Sequence, residues 1–231
     1  MVTKKIAVII ARGGSKRIPK KNIKNFLGKP IIEIVIKTIK ASKVFDKIII
    51  STDDVRIAKI AEKKGITVPF LRPKSLANDF ADTISVMKHA VNNFNPSNSI
   101  DNIYCCIYPT SVFMTVQDLV LSSREFKKSK PSFLFAATDF EYPFQRGFFL
   151  SKRNNVQLLN KKYYFKRTQD LKVLYHDTGQ FYWGSKKSWK NEKMIFGKKS
   201  KAFLISNHRV TEIDTLNDWK RAEKLFKTLK K

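Results

Sequence analysis

The feature that most constrains the fold is an apolar pattern, Ile6-Ala7-Val8-Ile9-Ile10, running without a break into Ala11-Arg12-Gly13-Gly14-Ser15-Lys16-Arg17-Ile18-Pro19-Lys20-Lys21-Asn22. So continuous an apolar run predicts a strand buried on both faces, as in parallel sheets covered by helices. The loop then falls at the strand's carboxyl end, where open α/β sheets bind their ligands. Two glycines permit a tight turn and a close approach of backbone N–H groups to an anion, while Arg12, Lys16, Arg17, Lys20 and Lys21 crowd cations at the same corner. The pattern reads as a phosphate cradle, but not as either familiar one. A P-loop needs Gly-Lys-Ser/Thr after four intervening residues, and a dinucleotide fold needs G-x-G-x-x-G; here Gly13 and Gly14 are adjacent and the next glycine is Gly28.

Strand and helix patterns alternate from there. The spacing predicts a helix over 31–41, a strand over 47–51, a helix over 55–64 capped by Gly65, a short strand over 68–71 and a helix over 83–93. A strand over 102–108, a helix over 116–127 opened near Thr115 and a strand over 133–138 follow. This alternation predicts an α/β fold with a doubly wound, mostly parallel sheet of at least five strands. From 139 to 174 it gives way to aromatic and basic stretches, Phe148-Phe149-Leu150 and Tyr163-Tyr164-Phe165, separated by the turn-forming Lys152-Arg153-Asn154-Asn155. A small β-rich arm is expected there. It carries too little apolar mass to pack alone, so it is expected to fold onto a partner subunit, leaving 1–138 and 175–231 as the core. A strand over 180–184 returns to the sheet. The last helix is expected over 215–229, with Thr215 as N-cap and Asp218 at capping-box spacing.

At 231 residues the chain suits one α/β unit, and its apolar runs fall short of a bilayer span. With no signal-peptide pattern at the N-terminus, a soluble, cytoplasmic protein without a membrane partner is expected. Cys105 and Cys106 are adjacent within an apolar run and read as buried strand thiols. The net charge of +27 raises a nucleic-acid partner. Against that, the lysines spread over presumed solvent faces (Lys37, Lys40, Lys59, Lys63, Lys64, Lys127, Lys128) and no aromatic-basic RNA motif is present. Attraction of polyanionic small substrates is the expected use of the charge, with a basic RNA-binding protein as the alternative of another class.

Glu212 and Asp214 sit two apart in Val210-Thr211-Glu212-Ile213-Asp214-Thr215, after His208. In an extended segment both carboxylates share a side and offer Mg²⁺ hard oxygens while leaving positions for phosphate and water. Ser51-Thr52-Asp53-Asp54 either caps the next helix or touches a ligand. Arg72, before Pro73, stands where a triphosphate or base contact is expected, and Tyr108-Pro109-Thr110-Ser111 closes a strand with hydroxyls at the carboxyl edge. His176-Asp177 reads either as an acid-base pair or as a structural histidine. His89 and His208 lack neighbours at metal spacing.

Taken together, these residues resemble the CMP-sugar synthetases, the cytidylyltransferases that activate nine-carbon sialic-type and related keto-sugar acids. The loop from Ala11 to Asn22, Ser51-Thr52-Asp53-Asp54, Phe70-Leu71-Arg72-Pro73, Pro109-Thr110-Ser111 and Ile213-Asp214-Thr215 occur in that family's order. Arg167-Thr168-Gln169-Asp170-Leu171 and Tyr175-His176-Asp177-Thr178-Gly179-Gln180-Phe181-Tyr182-Trp183-Gly184 are most similar to the branch that uses pseudaminic acid. N-acylneuraminate enzymes have Gln-Pro-Thr-Ser followed by Pro-Leu-Arg at the strand end, and this chain has Tyr108 through Met114 instead. The family's Asp-Ile-Asp is here Glu212-Ile213-Asp214.

The resemblance implies a nucleotide-diphospho-sugar-transferase-like fold, a homodimer exchanging the arm, and Mg²⁺-dependent transfer of CMP from CTP to a sugar's anomeric hydroxyl. It places CTP on Ala11, Arg12, Gly13, Gly14, Ser15, Lys16, Lys21, Asn22 and Arg72, with Thr83 at the cytosine. The acidic nine-carbon sugar falls to Tyr108, Thr110, Arg167, Gln169, Gln180 and Tyr182, and the metal to Asp214 and Glu212. Arg12, Lys21 and Asp214 are the implied catalytic residues. N-acylneuraminate, legionaminate and 3-deoxy-manno-octulosonate are the alternative acids.

Overall fold

The computed structural model describes residues 3–95, 99 and 101–229. Strand β1 (Lys5–Ile10) leads through the glycine loop into a short hairpin, β2 (Asn25–Phe26) and β3 (Lys29–Pro30), and helix α1 (Ile31–Ser42). Then come β4 (Lys47–Ser51), α2 (Val55–Lys63), α3 (Thr83–Asn93), β5 (Ile103–Ile107), α4 (Val116–Ser129) and β6 (Phe133–Asp139). A separate hairpin, β7 (Phe148–Leu150) and β8 (Val156–Leu158), precedes β9 (Tyr175–Ser185), α5 (Lys186–Asn191), β10 (Lys201–Leu204) and α6 (Leu216–Leu229).

One six-stranded sheet, ordered β10-β6-β9-β5-β1-β4, forms the core. Successive side chains of β1 point to opposite faces and explain its unbroken apolar run. Ala7 and Ile9 pack with α1, α2, α4 and α6 on one face, and Ile6, Val8 and Ile10 with α3 and α5 on the other. Helices cover both faces, as the doubly wound reading requires.

The sheet departs from a wholly parallel one at a single strand. β9 runs antiparallel to both β5 and β6, with Cys106 opposite Tyr182 and Leu134 opposite Trp183. It spans eleven residues where the sequence suggested 180–184, since its first half pairs through the polar residues His176 and Asp177, which mask the alternation. The strand expected over 68–71 is only two isolated parallel bridges, Ile49 to Thr67 and Thr52 to Leu71. Pro69 lies between them and has no N–H to continue the ladder. Residues 210–214 form no strand; the last strand is β10, at the sheet edge beside β6.

Helix ends follow local chemistry. Asp54 caps α2 by accepting from the Arg56 N–H, Gly65 takes φ +66° just past its end, and capping boxes form at Thr115/Asp118 and Thr215/Asp218. Both thiols are buried, and burial pushes their pKa values up, leaving inert strand residues.

Gly184 of β9 is fixed by packing. A Cβ there would meet Trp189 Nε1 at 2.6 Å and Phe133 Cε1 at 2.8 Å, and both rings are fully buried. Gly184→Ala is expected to cost about 1–3 kcal/mol through overpacking, lowering the melting temperature by roughly 2–4 °C per kcal/mol in a thermal scan.

Candidate active site

The site lies along the carboxyl edge of β1, β4 and β5. Because β9 runs the other way, its beginning reaches that same edge, which is how Asp177 to Gln180 join residues some seventy positions earlier. Two adjoining cavities open there. The first, about 250 Å³, is lined by Arg12, Ser15, Arg17, Lys21, Asn22, Arg72, Asp79 and Thr83 among others; the second, about 290 Å³, by Asp177 to Gln180, Tyr182 and Thr211 to Asp214. Lys21, Tyr108, Thr110 and Asp214 line both, so these residues stand where the two spaces meet.

The glycine loop is held from below. Ala11 N–H continues the ladder to the Ser51 carbonyl at 3.0 Å, and Gly13 N–H donates to Asp53 Oδ1 at 2.9 Å. Gly13 is a glycine because a Cβ would come within 2.6 Å of the Asp54 carboxylate. Asp53 and Asp54 thus shape the loop and cap α2, the structural alternative of the two weighed for them. Asn22, 6% exposed, donates its amide to the Arg12 carbonyl at 2.8 Å and fixes the far end of the loop.

Among the described residues every cation facing the first cavity except one already has a carboxylate. Asp79 receives Arg12 at 2.7 Å and Lys16 at 2.6 Å; Asp214 receives Arg17 at 3.0 Å and Lys21 at 3.1 Å, with Lys21 also donating to the Ile213 carbonyl at 2.8 Å. Lys16 and then Arg12 hold the Asp79 carboxyl below the usual carboxylate range. The exception is Arg72, 6% exposed, whose Nε and one terminal nitrogen are buried without an acceptor among the described residues. Burial lowers its pKa, only partly offset by Asp53. A guanidinium stripped of water and left unpaired has a strong electrostatic demand for an anionic or carbonyl ligand.

Between the cavities, the Thr83 and Tyr108 hydroxyls share a hydrogen bond, and the Tyr108 and Tyr182 rings meet edge to face at 5.9 Å. The Tyr182 hydroxyl donates to Asp177, so its hydrogen is committed within the protein. Ser111 donates to the Gln180 carbonyl at 2.8 Å, while Gln180 Nε2 donates to the Arg209 carbonyl at 3.3 Å. Arg209 itself grips Asp118 with two bonds of 2.7 and 3.0 Å and anchors the 207–214 segment on α4. Burial pushes the Tyr108 and Tyr182 phenols up, keeping both neutral.

Most residues expected from sequence therefore converge: Arg12, Ser15, Lys21, Asn22, Arg72, Thr83, Tyr108, Thr110, Gln180, Tyr182, Glu212 and Asp214 all line the two cavities. Lys16 reaches the first through Asp79, whereas Ala11, Gly13 and Gly14 form the loop backbone behind it. Arg167 and Gln169 are not brought there; Arg167 pairs with Asp170 at 2.9 Å on the exposed arm. His176 turns its Nδ1 to the Asp177 backbone oxygen, the structural alternative. Asp79 was missed by sequence reading. Its only signal is the turn-forming Asn78-Asp79 after Pro73, where Asn78 folds back onto the Phe80 and Ala81 N–H groups.

A glycine loop and two joined cavities at the carboxyl edge of a helix-covered α/β sheet form a site that suits nucleotidyl transfer. The chain belongs to the cytidylyltransferase family, whose model matches residues 6–224. It is 41% identical over 224 residues to the pseudaminic acid cytidylyltransferase of Campylobacter jejuni subsp. jejuni serotype O:2, covering 97% of each chain. It is 34% identical over 209 residues to a Helicobacter pylori protein named as a pseudaminic acid cytidylyltransferase and UDP-2,4-diacetamido-2,4,6-trideoxy-beta-L-altropyranose hydrolase, covering 90% of this chain and 40% of that one. Among solved structures, a CMP:2-keto-3-deoxy-manno-octonic acid synthetase complexed with CTP superposes with a TM-score of 0.72 at 14% identity, over 98% of this chain and 100% of that one, a likeness of fold. No helix among the described residues is long and apolar enough to cross a membrane.

Proposed function

We propose that the protein transfers CMP from CTP to the anomeric hydroxyl of pseudaminic acid, releasing pyrophosphate. The observation that carries the reading is the meeting of two cavities at Lys21, Tyr108, Thr110 and Asp214. One space is cationic and suits a triphosphate; the other is ringed by hydroxyls, an amide and carboxylates and suits a polyhydroxylated sugar. A nucleophile in the second then faces an α-phosphorus in the first.

Arg12, Lys16 and Lys21 hold the phosphates, with Asn22 keeping the loop in shape, Arg72 supplying an unpaired charge to the nucleotide and Thr83 reaching the base. The sugar's hydroxyl attacks the α-phosphorus, the bond to the pyrophosphate oxygen breaks, and the hydroxyl proton leaves to solvent or a nearby carboxylate. Such a displacement depends on positioning and charge neutralisation more than on a covalent intermediate.

The carboxylates present fit Mg²⁺. Glu212 and Asp214 line the second cavity with hard carboxylate oxygens; Asp214, whose oxygens already receive Arg17 and Lys21, would bind the ion through its remaining lone pairs, with Glu212, substrate phosphates and water completing the shell. When bound, the ion would neutralise charge developing on the phosphates.

The arm is proposed to pair two copies. Phe148, Phe149, Leu150, Val156, Tyr164 and Phe165 expose from 54% to 91% of their surface on one short segment, an apolar density unusual for a free surface. Such pairing would carry Arg167 toward the sugar carboxylate in the other copy's site. Purified protein with CTP, Mg²⁺ and pseudaminic, legionaminic, N-acetylneuraminic or 3-deoxy-manno-octulosonic acid tests the reading by pyrophosphate release. The greatest kcat/KM is expected with pseudaminic acid; preference for another acid overturns the substrate, and no release with any of them overturns the reaction.

A further inference from the structure

One wall of the second cavity holds a buried hydrogen-bond acceptor that lacks a donor among the described residues, beside a carboxylate with one oxygen engaged. Gln180 is 4% exposed, and because its Nε2 donates to the Arg209 carbonyl, the opposite end of the amide must be the oxygen. That Oε1 is buried and meets no donor among the described residues. Asp177 lines the same cavity three residues earlier; one of its oxygens accepts the Tyr182 hydroxyl, and no cationic side chain among the described residues pairs with it. Burying an acceptor without a donor is costly, and native proteins tolerate it chiefly where a ligand or water completes the bond.

The charge around this wall decides what kind of donor fits. Glu212 and Asp214 are assigned to the metal, and Lys21, the cation lining this cavity among the described residues, is engaged by Asp214, so Asp177 is the uncompensated charge that faces a ligand on this wall. A carboxylate is repelled there. A hydroxyl brings lone pairs that would face further acceptors, while an amide N–H brings only a donor.

We infer that Gln180 Oε1 and the Asp177 carboxylate form a subsite for the neutral N–H of an acylamido substituent on the sugar acid, turning the sugar's own carboxylate away from β9. This rests on the proposed transfer to a nine-carbon acid and adds which substituent is read and by which atoms. Tyr182 is then a positioning residue: its hydroxyl holds one Asp177 oxygen and leaves the other for the substrate.

Asp177→Asn is the deciding variant. The Tyr182 hydroxyl claims the new amide's oxygen, so the amide nitrogen turns into the cavity and donor meets donor. The KM for pseudaminic acid is expected to rise about 10- to 100-fold, with the KM for CTP unchanged within about twofold. Gln180→Leu is expected to raise the same KM about 10-fold, with the KM for CTP again unchanged within about twofold. Should Gln180→Leu fail to fold, Asp177→Asn, which preserves size and the Tyr182 bond, decides alone. An unchanged acid KM in Asp177→Asn overturns the subsite. So does a loss confined to kcat with a shifted pH profile, which would make Asp177 a proton-transfer group. If the wild-type protein releases no pyrophosphate with any nine-carbon acid, the failure lies with the reaction rather than the subsite.

Discussion

Lys21→Ala is expected to lower kcat/KM by about 10²- to 10³-fold, roughly 3–4 kcal/mol of transition-state stabilisation. The reason is position. Among the described residues Lys21 is the only cation lining both cavities, and its ammonium is fixed by the Ile213 carbonyl at 2.8 Å and Asp214 at 3.1 Å. A preorganised charge at the junction acts on the phosphates as the negative charge redistributes, without reorganising to do so. Asp214→Ala should produce a loss of similar size, since it removes the proposed metal ligand and also the anchor of Lys21 and Arg17. Steady-state pyrophosphate release measures both. If either variant keeps more than about a tenth of wild-type kcat/KM, the junction is not the reaction centre. The double variant separates the two roles: a shared role predicts a loss much smaller than the product of the single losses.

The second large effect concerns the arm. Replacing Phe149 and Phe165, 61% and 91% exposed, by aspartate is expected to convert the proposed dimer into a 26.8 kDa monomer in sedimentation or light scattering, and to reduce activity by at least about 10-fold. Mixing gives a sharper test. Arg167→Ala and Lys21→Ala proteins, each nearly inactive, should regain about a quarter of wild-type activity when co-refolded, because half the random pairs are heterodimers and each holds one intact site. Arg167→Ala with full activity, or no recovery on mixing, excludes arm exchange. A wild-type protein that sediments as a monomer excludes pairing altogether.

Much of this site was legible because its chemistry is local. The glycine loop announces itself by adjacent glycines and clustered cations after an apolar strand, and the structure puts Arg12, Ser15, Lys21 and Asn22 on one cavity. The helix start at Thr215 was legible for the same reason, a hydroxyl three residues before a carboxylate, and the start near Thr115 proves to be a second such box, with Asp118. What sequence hid depends on distant pairing. Nothing local to Asp79 says that it would meet Arg12 and Lys16 across more than sixty positions, nor does alternation say that β9 would run against its neighbours. The short strand at 68–71 failed on a visible residue, Pro69, whose missing N–H outweighs the apolar pattern around it.

The position of β9 also sets an order of assembly. In the sheet order of the described residues, β4-β1-β5 on one side and β6-β10 on the other share no ladder except through this strand. As the chain leaves the ribosome, β1, β4 and β5 can join early, but β6 has no partner beside β5 until residues 175–185 arrive. The arm in between is an inserted loop whose ends meet at Asp139 and Tyr175, so its length adds only slowly, as the logarithm, to the entropy of closure. The same late strand carries Asp177, Gln180 and Tyr182. The first cavity is thus largely framed by the first 110 residues, and the cavity beside it forms only when the sheet closes.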